Sequence, residues 1–339
     1  MTDSDASGEH VIQVVTHRSR GDRLYRSVVR SAGASTLVLM LAIGVFLTFR
    51  AAPAFRHAGW SFFTETAWTP TPTGGRFGVA ALLLGTALIA AVAMVIAIPV
   101  AIGTALFISE YSPSWLRRPL TSLIDLLAAI PSLIFGIWGA TVLQGKVVHV
   151  SKFLHDHFGW FPPFRVSTVA IDGVDAAPTL GDYAASTFLA GIVVALMVLP
   201  LATAVMREVF AQAPAGEKEG ALALGGTRWG VIRNVVLPFG RGGIVGGSML
   251  ALGRALGETV AVALIINPRT DVHDLLQILR SAGNSIAALI ANGWAEGLEG
   301  MTLNAMMAAG LVLFGVTLVV NTFASVVVAR SRSGGATEI

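Results

Sequence analysis

Six long apolar stretches constrain this chain more than any other feature. They lie near residues 33–49, 78–108, 119–143, 184–206, 240–267 and 302–329. Stretches of this length can cross a hydrocarbon core of about 30 Å as helices, because a helix satisfies all of its own backbone hydrogen bonds. Only 13% of the residues are charged, about half of the usage in soluble domains. We therefore predict an all-α, polytopic membrane protein with about six transmembrane helices.

The composition also excludes several classes of function. The chain has no cysteine, so it forms neither disulfides nor thiolate metal sites. Its net charge is only +3 and its basic residues are spread among short loops, which argues against a nucleic-acid partner. His149, His155, Asp156 and His157 cluster in one loop, but their spacing matches no known metal site. We predict no metal and no cofactor.

The distribution of lysine and arginine predicts the orientation. Residues 1–32 are polar and carry five arginines, and we interpret them as a cytoplasmic tail before an uncleaved first span rather than as a signal peptide. With this tail inside, the inner segments hold fourteen basic residues and the outer segments eight. The positive-inside rule then places both termini in the cytoplasm. The predicted membrane domain is 33–330, followed by a short cytoplasmic tail, 331–339.

Prolines and glycines inside the spans predict irregular, closely packed helices. Pro99, Pro131 and Pro200 lie within apolar runs, where each removes a helical hydrogen bond. In the fifth span, Gly243 and Gly247, and likewise Gly253 and Gly257, recur at a spacing of four, which lets a neighbouring helix approach closely. The fifth span is therefore predicted to be buried in the bundle.

The inner segment 209–238 is too long for a tight turn. We predict one helix over 216–224, a bend at Gly225 and Gly226, and a second helix over 227–236 that ends where the chain re-enters the bilayer. The apolar side chains predicted to anchor this projection in a groove of a soluble partner are Leu222, Leu224, Trp229, Val231 and Ile232. The alternative is a loop that lies on the lipid surface.

This segment resembles the signature loop of permease subunits of binding-protein-dependent ABC importers. The match comprises "EGALALG", nine further residues and "VVLP", with a glycine where the family usually has the second alanine. The resemblance implies that the loop docks into a cytoplasmic ATPase. The residues that carry it are Glu219, Gly220, Ala221, Gly225, Val235, Leu237 and Pro238.

Three further stretches resemble phosphate permeases of the PstC type: "ISEYSPSWLRRPLTSLIDLLAAIPSLIFGIWG", "VLPLATAVMREVF" and "GRALGETVAVALIIN". Sulfate and molybdate permeases are similar in the coupling loop, but Thr259 and the "AAIPSLIFGIWG" run favour phosphate. The resemblance implies a type I ABC importer permease fold. It also implies a second permease subunit of the PstA type, a pair of ATP-binding subunits and an extracytoplasmic phosphate-binding protein.

Arg254 and Glu258 are the candidate substrate-path residues, because two charges at the centre of a span are costly to insert. On a continuous helix their spacing of four places them on one face, as an ion pair. A guanidinium presents paired donors to an oxyanion and keeps its proton. Asp125, which we assign to the third span, is a weaker candidate for the path. The pair has an alternative, purely structural role in tying two helices together.

Two other classes of function are weighed against this prediction. An ion-coupled secondary transporter accounts for broken helices and a charged pair in mid-membrane, but gives no reason for the coupling loop. A membrane-embedded enzyme lacks support, because no Gly-x-Ser-x-Gly or His-Glu-x-x-His motif occurs. No Gly-x-x-x-x-Gly-Lys-Ser/Thr loop occurs either, so ATP is expected to bind on a separate subunit.

Overall fold

The computed structural model describes residues 20–167, 169–171, 174–176, 178–266, 276–281, 283–295 and 299–332. These residues are mainly helical. In chain order the helices are α1 (Arg20–Ala58), α2 (Ser61–Thr64), α3 (Ala80–Leu106), α4 (Ser114–Ala128), α5 (Ser132–Trp138), α6 (Gln144–Phe158), α7 (Thr187–Ala211), α8 (Ala215–Ala223), α9 (Arg228–Val231), α10 (Leu237–Leu256), α11 (Val260–Ile265), α12 (Ile286–Ala295) and α13 (Gly300–Arg332).

The chain divides into two compact units, Met1–Phe46 and Leu47–Ile339. The described part of the first unit belongs to α1, whose side chains are mostly exposed from residue 24 to residue 46. Helix α1 begins at Arg20, within the segment that the sequence predicts as a tail. Residues 1–19 and 333–339 of the two predicted tails lie outside the described residues.

Within the part of the chain that the structure describes, six helical stretches are long and apolar enough to cross a membrane, as predicted. They are Leu24–Ala58, Ala80–Tyr111, Ser132–Phe158, Thr187–Ala211, Arg228–Leu256 and Gly300–Val326. Three of them begin or end well away from the predicted boundaries. The first is longer at both ends, the third starts thirteen residues later, and the fifth starts and ends about eleven residues earlier.

The third span is displaced because residues 114–128 form a helix of their own. Helix α4 ends at Ala128, and Pro131 lies immediately before α5. The expected break at Pro131 therefore occurs, but the prediction that Pro131 lies inside a span is wrong, because it lies between two separate helices. Pro99 and Pro200 do lie inside α3 and α7. The third span continues from α5 through a π-helical turn, residues 139–143, into α6.

Helices α3, α7 and α10 pack together around the main core. The glycines of α10 make this close packing possible. A Cβ atom at Gly243 would lie 2.5 Å from Val209 Cβ on α7, and one at Gly247 would lie 3.2 Å from the carbonyl oxygen of Ala202. The predicted role of these two glycines is confirmed. The prediction also holds for Gly253, which packs closely against α13, but not for Gly257, which has no close neighbour outside its own turn.

Two short antiparallel hairpins, which the sequence analysis did not predict, lie between the spans. Strands β1 (Trp68–Thr71) and β2 (Gly74–Phe77) form the first, and β3 (Val169–Ile171) and β4 (Val174–Ala176) the second. The first hairpin is held to the preceding loop by an ion pair of 2.7 Å between Arg76 and Glu65. This contact lowers the pKa of Glu65, mainly through the hydrogen bond from the guanidinium.

Candidate anion path and coupling loop

The fifth span is interrupted beside its two charged residues. Helix α10 ends at Leu256, and α11 begins at Val260. Glycine at position 257 has a weak preference for helix. The hydroxyl of Thr259 donates a hydrogen bond of 3.1 Å to the carbonyl oxygen of Gly257. Local side-chain bonds of this kind compete with helical hydrogen bonds. The predicted single span 240–267 is therefore wrong in its outer part, and its last residue lies outside the described residues.

Glu258 lies in this interruption and is buried, with 8% of its surface exposed. Its Oε1 accepts a hydrogen bond of 3.3 Å from the backbone N–H of Ala261 in the first turn of α11. A carboxylate at this position satisfies a free N–H group and is stabilised by the positive end of the helix dipole. Glu258 thus caps the first turn of α11 with its side chain, from the position before the N-cap residue Thr259.

Arg254 lies in the last turn of α10, where the helix dipole favours a positive charge. Its side chain is exposed on the surface of the chain. Within the described residues, ion pairs join Arg76 to Glu65, Lys152 to Asp156 and Lys218 to Glu110. The predicted pair of Arg254 with Glu258 is not among them, because the helix ends between the two residues and they no longer share a face.

Two neighbouring helices border the interruption. Gly136 on α5 packs against α11, where a Cβ atom would lie 2.8 Å from Ala261 Cα. Gly253 packs against α13, where a Cβ atom would lie 2.6 Å from Asn321 Oδ1. Asn321 is an exposed amide in the sixth span, beside the residue that precedes Arg254. The sequence analysis missed it, although an asparagine within the apolar run 302–329 is itself a signal.

Asp125 lies elsewhere than predicted. It is on α4, before the third span, and its side chain is exposed. A hydrogen bond of 2.8 Å from Arg207 Nη1 to Thr121 Oγ1 joins this helix to α7. No hydrogen bond or ion pair joins Asp125 to Arg254 or Glu258 among the described residues, so the structure does not link the predicted path residues.

The coupling loop contains the predicted bend. After α8, Gly225 adopts a left-handed conformation with φ of 85°. The N–H of Gly225 donates to the carbonyl oxygen of Leu222 at 2.9 Å, and that of Gly226 to Ala221 at 3.0 Å. These two bonds form a Schellman motif, which favours glycine because a Cβ atom is disfavoured at positive φ. Thr227 then caps α9 by accepting from the N–H of Gly230 at 3.1 Å.

The side chains of helix α8 are largely exposed. The helix has no fully buried residue, and Glu219 and Gly220 are exposed. Leu222 and Trp229 are about half exposed, and Leu224 is 92% exposed. These three predicted anchors are therefore accessible to a partner, and their role in docking stays a prediction. Ala221 is only partly buried and packs against the main core.

The second half of the loop differs from the prediction. Val231 and Ile232 are buried and are therefore unavailable as anchors for a partner. Helix α9 continues through a π-helical turn, residues 232–236, directly into α10. Leu237 and Pro238 lie in the first turn of α10, where proline is tolerated, so they do not end a helix. Val235 and Leu237 are partly buried against the core, and Pro238 is exposed.

Comparison with known proteins identifies this arrangement. Residues 97–333 match the family described as the binding-protein-dependent transport system inner membrane component. The chain belongs to this family. The match includes α4, the coupling loop and the interruption of the fifth span, whereas α1 and the first hairpin precede it. Membership of this inner membrane family and the six apolar helices make the chain a multi-pass membrane protein.

Several relatives of this inner membrane component resemble it over nearly their whole length. It is 41% identical over 317 residues to "Phosphate transport system permease protein PstC 2" of Mycobacterium tuberculosis, covering 93% of each chain. It is 39% identical over 313 residues to "Phosphate transport system permease protein PstC" of Xylella fastidiosa strain 9a5c, covering 92% of this chain and 90% of the relative.

The fold agrees with solved transporters. A crystal structure of a bacterial ABC transporter involved in the import of the acidic polysaccharide alginate matches with a TM-score of 0.52 at 18% identity, covering 93% of this chain and all of that chain. This likeness shows the fold. The predicted all-α architecture of an ABC importer permease is confirmed.

The histidine cluster on this inner membrane component is spread along α6. His149 and His157 each contact the backbone carbonyl four residues earlier, at 3.0 Å, and Lys152 pairs with Asp156 at 2.9 Å. His155 Nδ1 lies 3.2 Å from the carbonyl oxygen of Phe164. Among the residues described, no group of three or more His, Asp or Glu side chains is arranged to hold a metal ion.

Proposed function

We propose that this chain is the transmembrane permease subunit of an ATP-driven importer of inorganic phosphate, and that it forms half of the translocation path. The observation that carries this proposal is the 41% identity to a phosphate transport system permease protein over 93% of both chains. The exposed coupling loop supports it, because a secondary transporter needs no projecting helix for an ATPase. The chain is not itself an enzyme, and ATP hydrolysis takes place on other subunits.

Arg254 is the proposed anion-binding group of the path. Its guanidinium is exposed, and no hydrogen bond joins it to another described residue. A planar guanidinium can donate two parallel hydrogen bonds to a phosphate group. Glu258 is occupied in capping α11, which leaves the positive charge of Arg254 free for a passing anion. Thr259, partly exposed in the same interruption, adds a hydroxyl beside the path.

A second permease subunit of the PstA type is proposed to complete the path. Arg254 lies on the surface of this chain, near the end of the fifth span, and an exposed guanidinium there requires either a polar partner or water. One arginine also cannot balance the two charges of hydrogen phosphate, so the facing subunit is expected to contribute further donors. Asp125, on the exposed face of α4, stays a weaker candidate for a gate.

The remaining partners follow from the same proposal. A pair of cytoplasmic ATP-binding subunits receives the coupling loops through Glu219, the exposed apolar residues and the Gly225 bend. An extracytoplasmic binding protein delivers phosphate from the other side. In this proposal the complex lies in the inner membrane of the cell, and both termini of the chain lie in the cytoplasm. Closure of the ATPase pair then alternates access to a weak anion site.

Transport assays in reconstituted vesicles test this proposal. The chain is purified with its companion permease and ATPase, and uptake of radiolabelled phosphate is followed with the binding protein present. We expect uptake to require ATP and to be insensitive to a protonophore. Uptake without ATP that disappears when the proton gradient collapses would instead establish an ion-coupled secondary transporter.

A further inference from the structure

The coupling helix α8 is tied to the body of the permease by one ion pair. Lys218 Nζ lies 2.7 Å from Glu110 Oε1, across 108 positions of sequence. Among the described residues, Lys218 is the only side chain of α8 that makes a hydrogen bond or ion pair with another element. Ala221 packs against the core, and α8 also packs against α9 and the π-helical turn 232–236, which follow it in the chain.

This ion pair is more shielded than a typical surface pair. The side chains of Lys218 and Glu110 are 21% and 14% exposed, whereas those of Lys152 and Asp156 are 47% and 45% exposed. Exposed pairs contribute little because water and salt screen the charges. Shielding strengthens the attraction between the charges, and a distance of 2.7 Å is typical of a charge-assisted hydrogen bond. The Lys218–Glu110 contact is therefore suited to transmit force.

Glu110 lies where three helices meet. It belongs to a π-helical turn, residues 107–111, which continues α3 to the inner end of the second span. The carbonyl oxygen of Ser109 in the same turn accepts a hydrogen bond of 2.9 Å from Arg117 of α4. Helix α4 is in turn joined to α7 by the bond between Arg207 and Thr121. π-helical turns of this kind are frequent at functional sites.

We propose that Lys218 and Glu110 are positioning residues that transmit movement of the coupling helix to the inner ends of α3 and α4. This inference rests on the proposed function, in which α8 docks on the ATPase. When the ATPase moves α8, the ion pair pulls the π-helical turn, and the bonds of Ser109 and Thr121 carry the displacement to α4 and α7. Without the pair, α8 moves and the spans follow poorly.

The test separates ATP hydrolysis from transport. Lys218→Gln and Glu110→Gln are each prepared in the full complex, together with the reciprocal exchange Lys218→Glu with Glu110→Lys. Three quantities are measured: the amount of assembled complex, the stimulation of ATPase activity by loaded binding protein, and phosphate transported per ATP hydrolysed. The matched control is Lys152→Gln, which removes the lysine of an exposed ion pair on α6.

We expect each single variant to assemble and to lower both the stimulation and the phosphate-to-ATP ratio by about fivefold or more, the lower range of coupling energies between sites. The exchange variant restores both to at least about half of the wild-type values, since a double-mutant cycle reports the interaction itself. Lys152→Gln behaves as wild type. Single variants with unchanged coupling, or an exchange variant no better than the singles, would overturn the inference.

Two further outcomes are decisive. If a single variant does not assemble, the exchange variant tests the inference. Recovery of both assembly and coupling in the exchange variant would support the ion pair, and failure to recover either would contradict it. If the wild-type complex takes up no phosphate, the proposed function fails. The stimulation of ATPase activity by loaded binding protein, measured with whichever anion is carried, still distinguishes coupled from uncoupled variants.

Discussion

At the scale of single residues, the interruption of the fifth span separates two charges that the sequence places on one helix. Glu258 is buried and capped onto α11, whereas Arg254 is exposed at the end of α10. The two residues therefore have different tasks. Glu258 stabilises a break in the helix, and this break leaves the Arg254 guanidinium without an intramolecular partner among the described residues. Substitutions can test each task separately.

Arg254→Gln is expected to reduce phosphate uptake to background, because the amide cannot supply a positive charge or the paired donors of a guanidinium. Assembly with the ATPase is expected to be retained, since the side chain is exposed and bonds no described residue. Arg254→Lys keeps the charge without the planar fork and is expected to retain partial uptake. Radiolabelled phosphate uptake per assembled complex measures both variants, and normal uptake by Arg254→Gln would leave Arg254 without a role in the path.

Glu258→Gln and Glu258→Ala distinguish a cap from a charge. Glutamine keeps an oxygen that can accept from the N–H of Ala261, whereas alanine leaves that N–H without its acceptor. We expect uptake to be largely retained in Glu258→Gln and strongly reduced in Glu258→Ala. Equal loss in both variants would show that the carboxylate charge, rather than the cap, is required.

At the scale of elements, the coupling loop depends on a turn that only a few residues can adopt. The Schellman motif at Gly225 directs the chain away from α8, so that Leu222, Leu224 and Trp229 project outward. Helix α9 then joins α10 without a break through the π-helical turn. We propose that this continuous helix is a second route, beside the ion pair of Lys218 with Glu110, by which movement of a docked ATPase reaches a span.

Gly225→Ala is expected to weaken ATPase binding. The left-handed conformation costs a residue with a Cβ atom roughly 1–2 kcal/mol, which corresponds to a loss of affinity of about fivefold or more. Co-purification of the ATPase with the permease measures this loss. Gly216→Ala is the matched control, because Gly216 lies within α8 and a Cβ atom there meets nothing within 4 Å. Equal co-purification of both variants would contradict the importance of the bend.

At the scale of the whole molecule, hydropathy predicted the number of spans, because apolar length alone determines it. It misplaced the third and fifth spans, since it cannot distinguish a break between two helices from a continuous one. Pro131 lies just before α5 instead of inside a span, and a local hydrogen bond between Thr259 and Gly257 accompanies the end of α10. The bend at Gly225 was predictable because the glycines break the helical pattern. The ion pair of Glu110 with Lys218 could not be predicted from the sequence, because it joins segments that are 108 positions apart.

Competition between anions tests the central claim, that this permease carries inorganic phosphate past the Arg254 guanidinium, next to the interruption of its fifth span. Uptake of radiolabelled phosphate by the reconstituted complex is measured with an excess of unlabelled phosphate, sulfate or molybdate. The account predicts ATP-dependent uptake that unlabelled phosphate abolishes and that the other two anions leave unchanged. Inhibition by sulfate or molybdate equal to that by phosphate would contradict it.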